Sequence, residues 1–490
     1  MKTINKFSIF ILAFWMFGSC SDLLNVDPTS VITTESFWKT ENDAQGALIG
    51  MYVDLRTLST NDLFRFGEAR GDVITLGTVG EGGWSKYYYN TLQPSDAGPS
   101  WQGCYKLIHS ANLIIKYVPN IAFASETRKN TLLAEAYSMR AFLYFVMART
   151  WGDLPLRTDP TESSDANVTQ IERTSVNEIF TLIKSDINQA LQLFPDNSFP
   201  EGRFQWSKPA VNALKAEVHL WTGKQMNGGE SDFNEALNAI NSIDVTNLSL
   251  LDNYESIFDF ENKGNDEILM AVRFDEFEGG NNYFRDMYII GSAIPTNIDQ
   301  STRDKIGAIG GGSNNITVPT DYVRSLFSED DQRRDATFFE IYTNDDQGNK
   351  NYYTSIVTKG AGTVIGGARQ FKDDIILYRY ADVLMMKAEA KNALNQDPSI
   401  EINEIRKRAY GDRFQDHQFT SGSVAENDEA ILEERLREFA FEGKRWWDLV
   451  RFGKALEYVT TLDGNSDKLL WPISNDVLSL ENKISQNPGY

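Results

Sequence analysis

The chain has few of the residues that carry metal, redox or cofactor chemistry. Its 490 residues include two cysteines and three histidines, and His109, His219 and His417 each stand without a second ligand at metal spacing. The HExxH, GxSxG and phosphate-loop patterns are missing, and the glycines from Gly360 to Gly367 miss the dinucleotide-binding spacing. Adjacent acidic pairs such as Asp330-Asp331 are expected by chance in so acidic a chain. The sequence therefore predicts no metal, no cofactor and no catalytic activity.

Long apolar runs are scarce as well, and the one at the N-terminus is short. It extends from Phe7 to Phe17, follows Lys2 and Lys6, and ends at Gly18-Ser19. A run of about a dozen residues is too short for a helix to cross a bilayer of about 30 Å. A basic start, a short apolar run and small residues are typical of a cleaved secretory signal. We therefore expect residues 1–19 to be removed as a signal peptide.

The cysteine that follows this segment indicates a lipid anchor. Phe17-Gly18-Ser19-Cys20 resembles the lipobox of bacterial lipoproteins, with Phe17 where leucine is usual, and this resemblance implies acylation of Cys20. The alternative is an ordinary secretory cleavage site with an incidental cysteine. Several acyl chains on one residue anchor a protein stably. Ser21 at the next position, unlike Asp, does not retain a lipoprotein at the inner membrane in the usual bacterial sorting pattern, so we expect a lipid-anchored, surface-exposed protein of the outer membrane. Cys104 then has no disulfide partner, and its periodic apolar surroundings predict a buried small hydrophobic residue.

Acidic residues outnumber basic ones. The chain has 69 Asp and Glu against 47 Lys and Arg, which gives a formal net charge of −22. The electrostatic field of so negative a chain repels phosphate backbones, which argues against nucleic acid as a partner. Aromatic residues make up 12% of the chain, a high share for so polar a sequence.

Helical periodicity dominates two regions of the chain. It predicts helices from the Thr40 capping box, from Trp101 to Pro119, from Glu126 to Trp151, from Ser175 to Phe194, from Ser207 to Trp221 with Gly223 as the stop, from Tyr378 to Leu394, from Ile400 to Ala409, from Ser423 to Phe441 and from Lys444 to Phe452. Ala216-Glu217, Gly223 and the stripe Phe233, Ala236 and Ile240 resemble the tetratricopeptide helix hairpin. One hairpin cannot bury its apolar face alone, so a stack is implied. We predict a mostly α fold, a tetratricopeptide-like helix-hairpin scaffold whose long irregular segments and short β-hairpins form the ligand face.

Two stretches lack this periodicity. Residues 61–100 are rich in glycine and aromatic residues, and residues 244–377 contain short alternating runs, of which Ala336 to Thr343 and Asn351 to Thr358 predict a β-hairpin. Their aromatic content argues against disorder, and long irregular segments in a compact domain are often functional. We divide the chain into three parts. Residues 1–19 are the signal peptide, and residues 20–243 are an N-terminal region with a ligand loop at residues 61–100. Residues 244–490 are a C-terminal region with an irregular insert at residues 244–377 and helices at residues 378–453.

A series of motifs in order resembles one family over essentially the whole mature chain. The motifs are Cys20 to Pro28, Trp101 to Asn112, Gly152-Asp153-Leu154-Pro155, Leu377 to Leu384 with Ala388-Glu389-Ala390, Ile405 to Ala409, Glu434 to Leu449 and Gln486 to Tyr490. Together they resemble the SusD/RagB family of Bacteroidetes outer-membrane nutrient-binding lipoproteins.

This resemblance implies a role in uptake. Family members have tetratricopeptide-like helix pairs that pack against a SusC-like TonB-dependent barrel, act as a hinged lid over it, and capture a glycan, or in some cases a peptide, on the irregular segments. The family implies no catalytic role and no cofactor. The rival hypotheses are a peptide-binding RagB-like uptake lipoprotein and, less favoured, a surface glycoside hydrolase.

The most conspicuous charged block is interpreted as structural. Helical spacing predicts buried ion pairs and core aromatic residues that join helices, at Arg435, Glu438, Glu442, Arg445, Trp446 and Asp448. The tryptophans Trp101, Trp151, Trp206 and Trp221 are placed in the same structural class.

The ligand-binding candidates come instead from the irregular segments. A sugar site needs a rigid aromatic platform with planar hydrogen-bonding groups at its rim. Trp84 stands in a polar, glycine-rich loop with little local apolar sequence to bury it, so we expect its indole to face solvent as a stacking platform. The full set of candidates is Trp84, Tyr87, Tyr89 and Asn90, with Arg70 and Asp72 at the rim, and a second strip with Tyr283, Arg285 and Tyr288. Extended alternation would place Tyr87 and Tyr89 on one face and Tyr88 on the other.

Overall fold

Paired helices make up the N-terminal region. The structure is a computed structural model and describes residues 37–79, 83–307, 310, 311, 313 and 315–490. Up to residue 243 the helices are α1 (Glu41–Ser59), α2 (Asp62–Gly67), α3 (Ser85–Tyr88), α4 (Gln102–Tyr117), α5 (Glu126–Trp151), α6 (Ala166–Thr169), α7 (Val176–Leu193), α8 (Lys208–Gln225) and α9 (Gly229–Asn241), and the strands are β1 (Ile74–Leu76), β2 (Leu154–Pro155) and β3 (Arg173–Thr174). Cys20 and the signal peptide lie outside the described residues.

Helix α5 is the central element of this region. It begins at the N-cap Ser125, whose hydroxyl accepts the Arg128 N–H, and nearly every residue from Leu132 to Trp151 is buried. A helix that is buried on all sides must be covered by neighbours, and α4, α7 and α8 pack against it. The bounds predicted from Glu126 to Trp151 are confirmed.

The predicted C-terminal end of α8 is wrong. We expected Gly223 to stop α8, but the helix continues to Gln225. A Cβ atom at Gly223 would lie 2.4 Å from the Phe233 ring of α9. The glycine therefore permits close approach within the α8–α9 hairpin, as small residues do in packed helix pairs.

Short strands and helices form the insert of residues 244–377. The strands are β4 (Ile268–Val272), β5 (Gly310–Gly311), β6 (Thr317–Pro319), β7 (Phe338–Asn344), β8 (Lys350–Val357), β9 (Thr363–Ile365), β10 (Ala368–Gln370) and β11 (Ile375–Arg379), and the helices are α10 (Gln300–Ile306), α11 (Asp321–Leu326) and α12 (Arg333–Thr337). Antiparallel pairs join β7 to β8, β11 to β4, β9 to β10, β2 to β3 and β1 to β6, and β5 runs parallel to β10. The predicted β-hairpin is confirmed as β7–β8.

The C-terminal helices return to the N-terminal stack. They are α13 (Tyr380–Ala393), α14 (Ser399–Tyr410), α15 (Val424–Phe439), α16 (Arg445–Arg451), α17 (Ala455–Tyr458) and α18 (Asn475–Leu480). The predicted capping box of Ser423 and Glu426 starts α15, and α13 packs against α9. One buried apolar cluster extends from Ala44 to Ile484. The mostly α, tetratricopeptide-like fold is confirmed, and the division of the chain at residue 243 stays a prediction.

Candidate functional site

The two irregular segments predicted to carry the ligand meet in the structure. The Trp84 indole Nε1 donates to Asp286 Oδ2 at 2.9 Å, across 202 positions of sequence. The backbone N–H groups of Gly77 and Thr78 donate to the carbonyls of Ile316 and Asn315, each at 3.0 Å. We call this junction the seam, formed by residues 77–79 and 83–90 on one side and residues 281–289 and 315–319 on the other.

Trp84 lies beneath the seam, and the expectation that it faces solvent is wrong. Its side chain is 3% exposed. Its ring meets the rings of Phe64 and Tyr87, each at a centroid distance of 5.9 Å, and the Arg65 guanidinium lies 4.8 Å from its centroid. Trp84 directly precedes the short helix α3, which turns the indole inward instead of extending the loop.

The predicted rim groups Arg70 and Asp72 are also buried in internal pairs. Arg70 is 1% exposed, and its Nε donates to Asn90 Oδ1 at 2.8 Å while its guanidinium lies 4.8 Å from the Trp446 ring centroid. Asp72 accepts two hydrogen bonds from Arg445 at 2.8 and 2.9 Å. The rim role predicted for these two residues is therefore wrong, because both connect the first irregular segment to the C-terminal helices.

Asn90 has the same internal role. Its amide group donates to the Arg70 carbonyl at 3.2 Å and to Thr461 Oγ1 at 2.9 Å, and its side chain is buried. Its φ of +53° lies in the left-handed region, which asparagine tolerates better than most residues. Asn90 thus ends α3 and holds the loop in place, and its predicted place at the rim is wrong.

Three candidate tyrosines direct their hydroxyl groups into the protein. Tyr87, Tyr283 and Tyr288 are at most 3% exposed, and each hydroxyl donates to a backbone carbonyl. Tyr283 also stacks on Phe64 with a centroid distance of 4.2 Å. Burial raises the pKa of all three phenols. The sequence predicts that these rings lie at the protein surface, but in the structure they are buried beneath it.

Tyr89 and Arg285 are the exposed members of the candidate set. Tyr89 is 40% exposed, and its ring packs edge-to-face against Tyr88 at a centroid distance of 4.7 Å. The preceding carbonyl, that of Tyr88, accepts a hydrogen bond from Thr461, which holds the backbone next to Tyr89 in place. Because residues 85–88 form a helix and not a strand, Tyr87 and Tyr88 are both buried, and the predicted alternation is wrong.

Sequence reasoning missed exposed aromatic residues on the insert. Tyr322 on α11 and Tyr352 on β8 are 38% and 40% exposed. The Arg324 guanidinium lies 3.9 Å from the Tyr352 ring centroid. The signal was present in the predicted hairpin, because alternate residues of a two-stranded ribbon face outward.

The charged C-terminal block is structural, as predicted. Asp448 accepts from Arg435 and Arg451 at 2.8 Å each, and all three side chains are buried. Glu442 accepts from Arg379 at 2.9 Å. Burial opposes the charge of Glu442, yet Arg379 and Lys359 lower its pKa to about 2, so the carboxylate stays ionised.

The three histidines do not form a metal site in the described part of the chain. His219 Nδ1 lies 2.7 Å from Asp232, His417 Nε2 lies 2.8 Å from Asp330, and His109 accepts the Thr161 N–H at 3.1 Å. Residues 37–79, 83–307 and 315–490 contain no cluster of three or more His, Cys, Asp or Glu that could hold an ion. Cys104 is buried as predicted, and burial raises the pKa of its thiol. None of the described helices is long and apolar enough to cross a membrane.

Two family models match the chain. Residues 316–490 match the model described as the SusD family, and residues 26–220 match the model described as starch-binding associating with outer membrane. A SusD-like protein from Formosa agariphila is 28% identical and covers 100% of this chain and 99% of its own.

Solved structures have the same fold. NanU from B. fragilis is 33% identical with a TM-score of 0.85, and the match covers 95% of this chain and 100% of that one. A SusD superfamily protein from Bacteroides vulgatus is 31% identical with a TM-score of 0.83, over 92% of this chain and 100% of that one. A laminarin-binding SusD-like protein, 23% identical with a TM-score of 0.75, covers 92% of this chain and 100% of its own, and shares the fold. With sequence and fold similar over nearly its full length, the chain belongs to the SusD/RagB family.

Proposed function

We propose that this protein binds an oligosaccharide at the cell surface and delivers it to a SusC-like TonB-dependent transporter in the outer membrane. The observation that carries the proposal is the seam, where two segments far apart in sequence join and leave Tyr89 exposed. An exposed aromatic ring offers an apolar face to the C–H groups of a sugar. The family model described as starch-binding supports carbohydrate as the ligand class.

In this proposal Tyr89 is the stacking platform and Arg285 is a rim group. Both side chains are exposed, on opposite sides of the seam. The buried candidates Trp84, Tyr87 and Tyr283 make their hydrogen bonds within the protein, and we assign them to the support of this region. A rigid platform lowers the entropy cost of binding.

Replacing Tyr89 with alanine is expected to weaken glycan binding at least tenfold. Aromatic contacts contribute about 0.5 to 1.5 kcal/mol beyond the area they bury, burial adds about 25 cal/mol per Å², and a factor of ten corresponds to about 1.4 kcal/mol. The proposed ligand is a neutral glycan, so the affinity should change little with salt. A glycan-array screen identifies the ligand, and calorimetry at low and high salt then measures wild type and variant.

Tyr89→Phe is the matched control for this measurement. It keeps the ring and removes the hydroxyl, so a stacking role predicts that most of the affinity remains. Equal affinity of wild type and Tyr89→Ala would refute the stacking role. An array without any glycan bound, together with binding of a peptide library, would support the peptide-uptake alternative.

Lipid anchoring is proposed at Cys20, in the segment that resembles a lipobox. Cys20→Ala should release a soluble or unprocessed protein, because the acyl chains hold the mature protein to the membrane. Membrane fractionation and intact mass of wild type and variant test this. Unchanged outer-membrane fractionation of the variant, or a wild-type mass without acyl chains, contradicts it.

A further inference from the structure

A concave surface lies away from the seam. We call it the groove, formed by α4, residues 157–170 and α18, with a volume of about 430 Å³. This volume falls in the range of small-molecule sites, about 300 to 1,000 Å³. Trp101, 1% exposed, belongs to its lining. Successive ring contacts lead from Trp101 through Trp151 and Trp471 to Tyr87 at the seam, so an aromatic layer separates the two sites.

The walls of the groove are fixed by hydrogen bonds between its three segments. Arg157 Nη1 donates to the Val168 carbonyl at 3.2 Å, and Nη2 donates to the Thr169 carbonyl at 2.6 Å. The Gln170 amide donates to the Leu480 carbonyl at 2.6 Å and accepts the Asn482 N–H at 2.9 Å. The groove is therefore formed before any ligand arrives, which reduces the ordering cost of binding.

One acceptor in the groove makes an ion-pair contact but no hydrogen bond. Glu481 Oε2 is shielded from solvent and has no hydrogen-bond partner among the described residues, and it lies 3.5 Å from Arg157 Nη2. The Glu481 side chain is 23% exposed and lines the groove, so its carboxylate can accept a hydrogen bond from a ligand hydroxyl.

His109 contributes a donor to the same groove. Its Nδ1 accepts the Thr161 N–H at 3.1 Å, so the neutral ring carries its proton on Nε2. Burial lowers the pKa of His109, which keeps the ring neutral at physiological pH. The groove therefore offers a fixed N–H donor and a carboxylate acceptor.

The charges of the groove favour a neutral ligand. Lys106 is paired with Asp54 at 2.7 Å, and Arg157 is paired with Glu481. With both cations paired, Asp159 adds a negative charge to the lining. An anionic ligand would meet this charge and the overall charge of −22.

We propose that the groove is a second carbohydrate site, for a neutral disaccharide. Tyr105 and Leu480 provide the apolar surface for the sugar ring, and Glu481, Arg157 and His109 provide the hydrogen-bonding groups. The site goes beyond the proposed capture at the seam, and it requires none of the seam residues.

The experiment measures binding with the seam platform removed. Maltose, cellobiose, lactose and N,N′-diacetylchitobiose are titrated by calorimetry into the full Tyr89→Ala protein. We expect at least one of them to bind with a dissociation constant on the order of 1 mM, a typical affinity for a few hydrogen bonds and one ring contact. Glu481→Gln in the same background should weaken that binding at least fivefold, because the acceptor loses its charge.

A further pair of variants distinguishes loss of binding from loss of folding. Gln102→Trp places a bulky ring at an exposed position of the groove wall on α4, and Gln189→Trp places the same ring at an exposed position of α7 outside the groove. The first should abolish disaccharide binding, and the second should leave it unchanged. The proposal is overturned when no disaccharide binds the Tyr89→Ala protein, or when binding survives both Glu481→Gln and Gln102→Trp. Failure of the seam proposal gives a different result, since Tyr89→Ala would then leave affinity for the array glycan intact.

Discussion

Replacing Arg379 with alanine is expected to lower the free energy of unfolding by about 3 to 5 kcal/mol. The Arg379 guanidinium is fully buried and donates to Glu267 at 2.7 Å, to Glu438 at 2.6 Å and to Glu442 at 2.9 Å. Its removal leaves three buried carboxylates short of a counter-charge, and an unpaired buried charge costs far more than a paired one gains. Denaturant unfolding at neutral pH measures the difference.

A surface pair gives the matched control. Arg413 bonds Asp416 at 2.8 Å, but their side chains are 66% and 60% exposed. Arg413→Ala should change the free energy of unfolding by less than about 1 kcal/mol, since exposed ion pairs contribute little. Similar losses for the two variants would mean that Arg379 is not the centre of a buried network. A further check is Arg379→Lys, which keeps the charge but cannot reproduce the planar fork and should also destabilise.

The helices were predictable because their signals are local. The Thr40–Asp43 capping box starts α1, and the apolar spacing from Glu126 to Trp151 gives α5 at both ends. The C-terminal end of α15 was less accurate, since the helix ends at Phe439 and not at Phe441. There the chain leaves the helix because the carboxylate of Glu68 accepts the Phe441 N–H at 2.5 Å, and Glu68 lies 373 positions away in sequence. A contact of that range leaves no trace in local periodicity.

The candidate site was predictable as a region but not residue by residue. The sequence predicts that both segments of the seam bind the ligand, because both are irregular and rich in aromatic residues. It could not show that Trp84 meets Asp286 or that Asp72 meets Arg445, since these partners are fixed by tertiary packing. The charged block was assigned correctly because helical spacing is a local property. Arg70 and Asp72 contact that block from the first irregular segment. Both were mistaken for ligand groups, because local periodicity does not show contacts between distant segments.

Trp84→Ala is expected to destabilise the protein by about 3 to 5 kcal/mol, the usual cost of removing a large buried aromatic side chain. The indole fills the space between Phe64 and Tyr87, and its N–H satisfies Asp286. Trp84→Phe should cost less, because it retains most of the packing and loses the hydrogen bond, worth about 1 to 3 kcal/mol when a partner is left unsatisfied.

Phe277, 89% exposed, provides the matched control, and Phe277→Ala should stay within about 0.5 kcal/mol of wild type. Thermal and denaturant unfolding give these values, and calorimetry on the array glycan gives the affinity of the folded fraction. Because Trp84 supports the seam from beneath, any loss of affinity should accompany the loss of stability. A Trp84→Ala protein of wild-type stability with glycan binding abolished would instead mean that the indole contacts the ligand, and it would return the stacking role to Trp84.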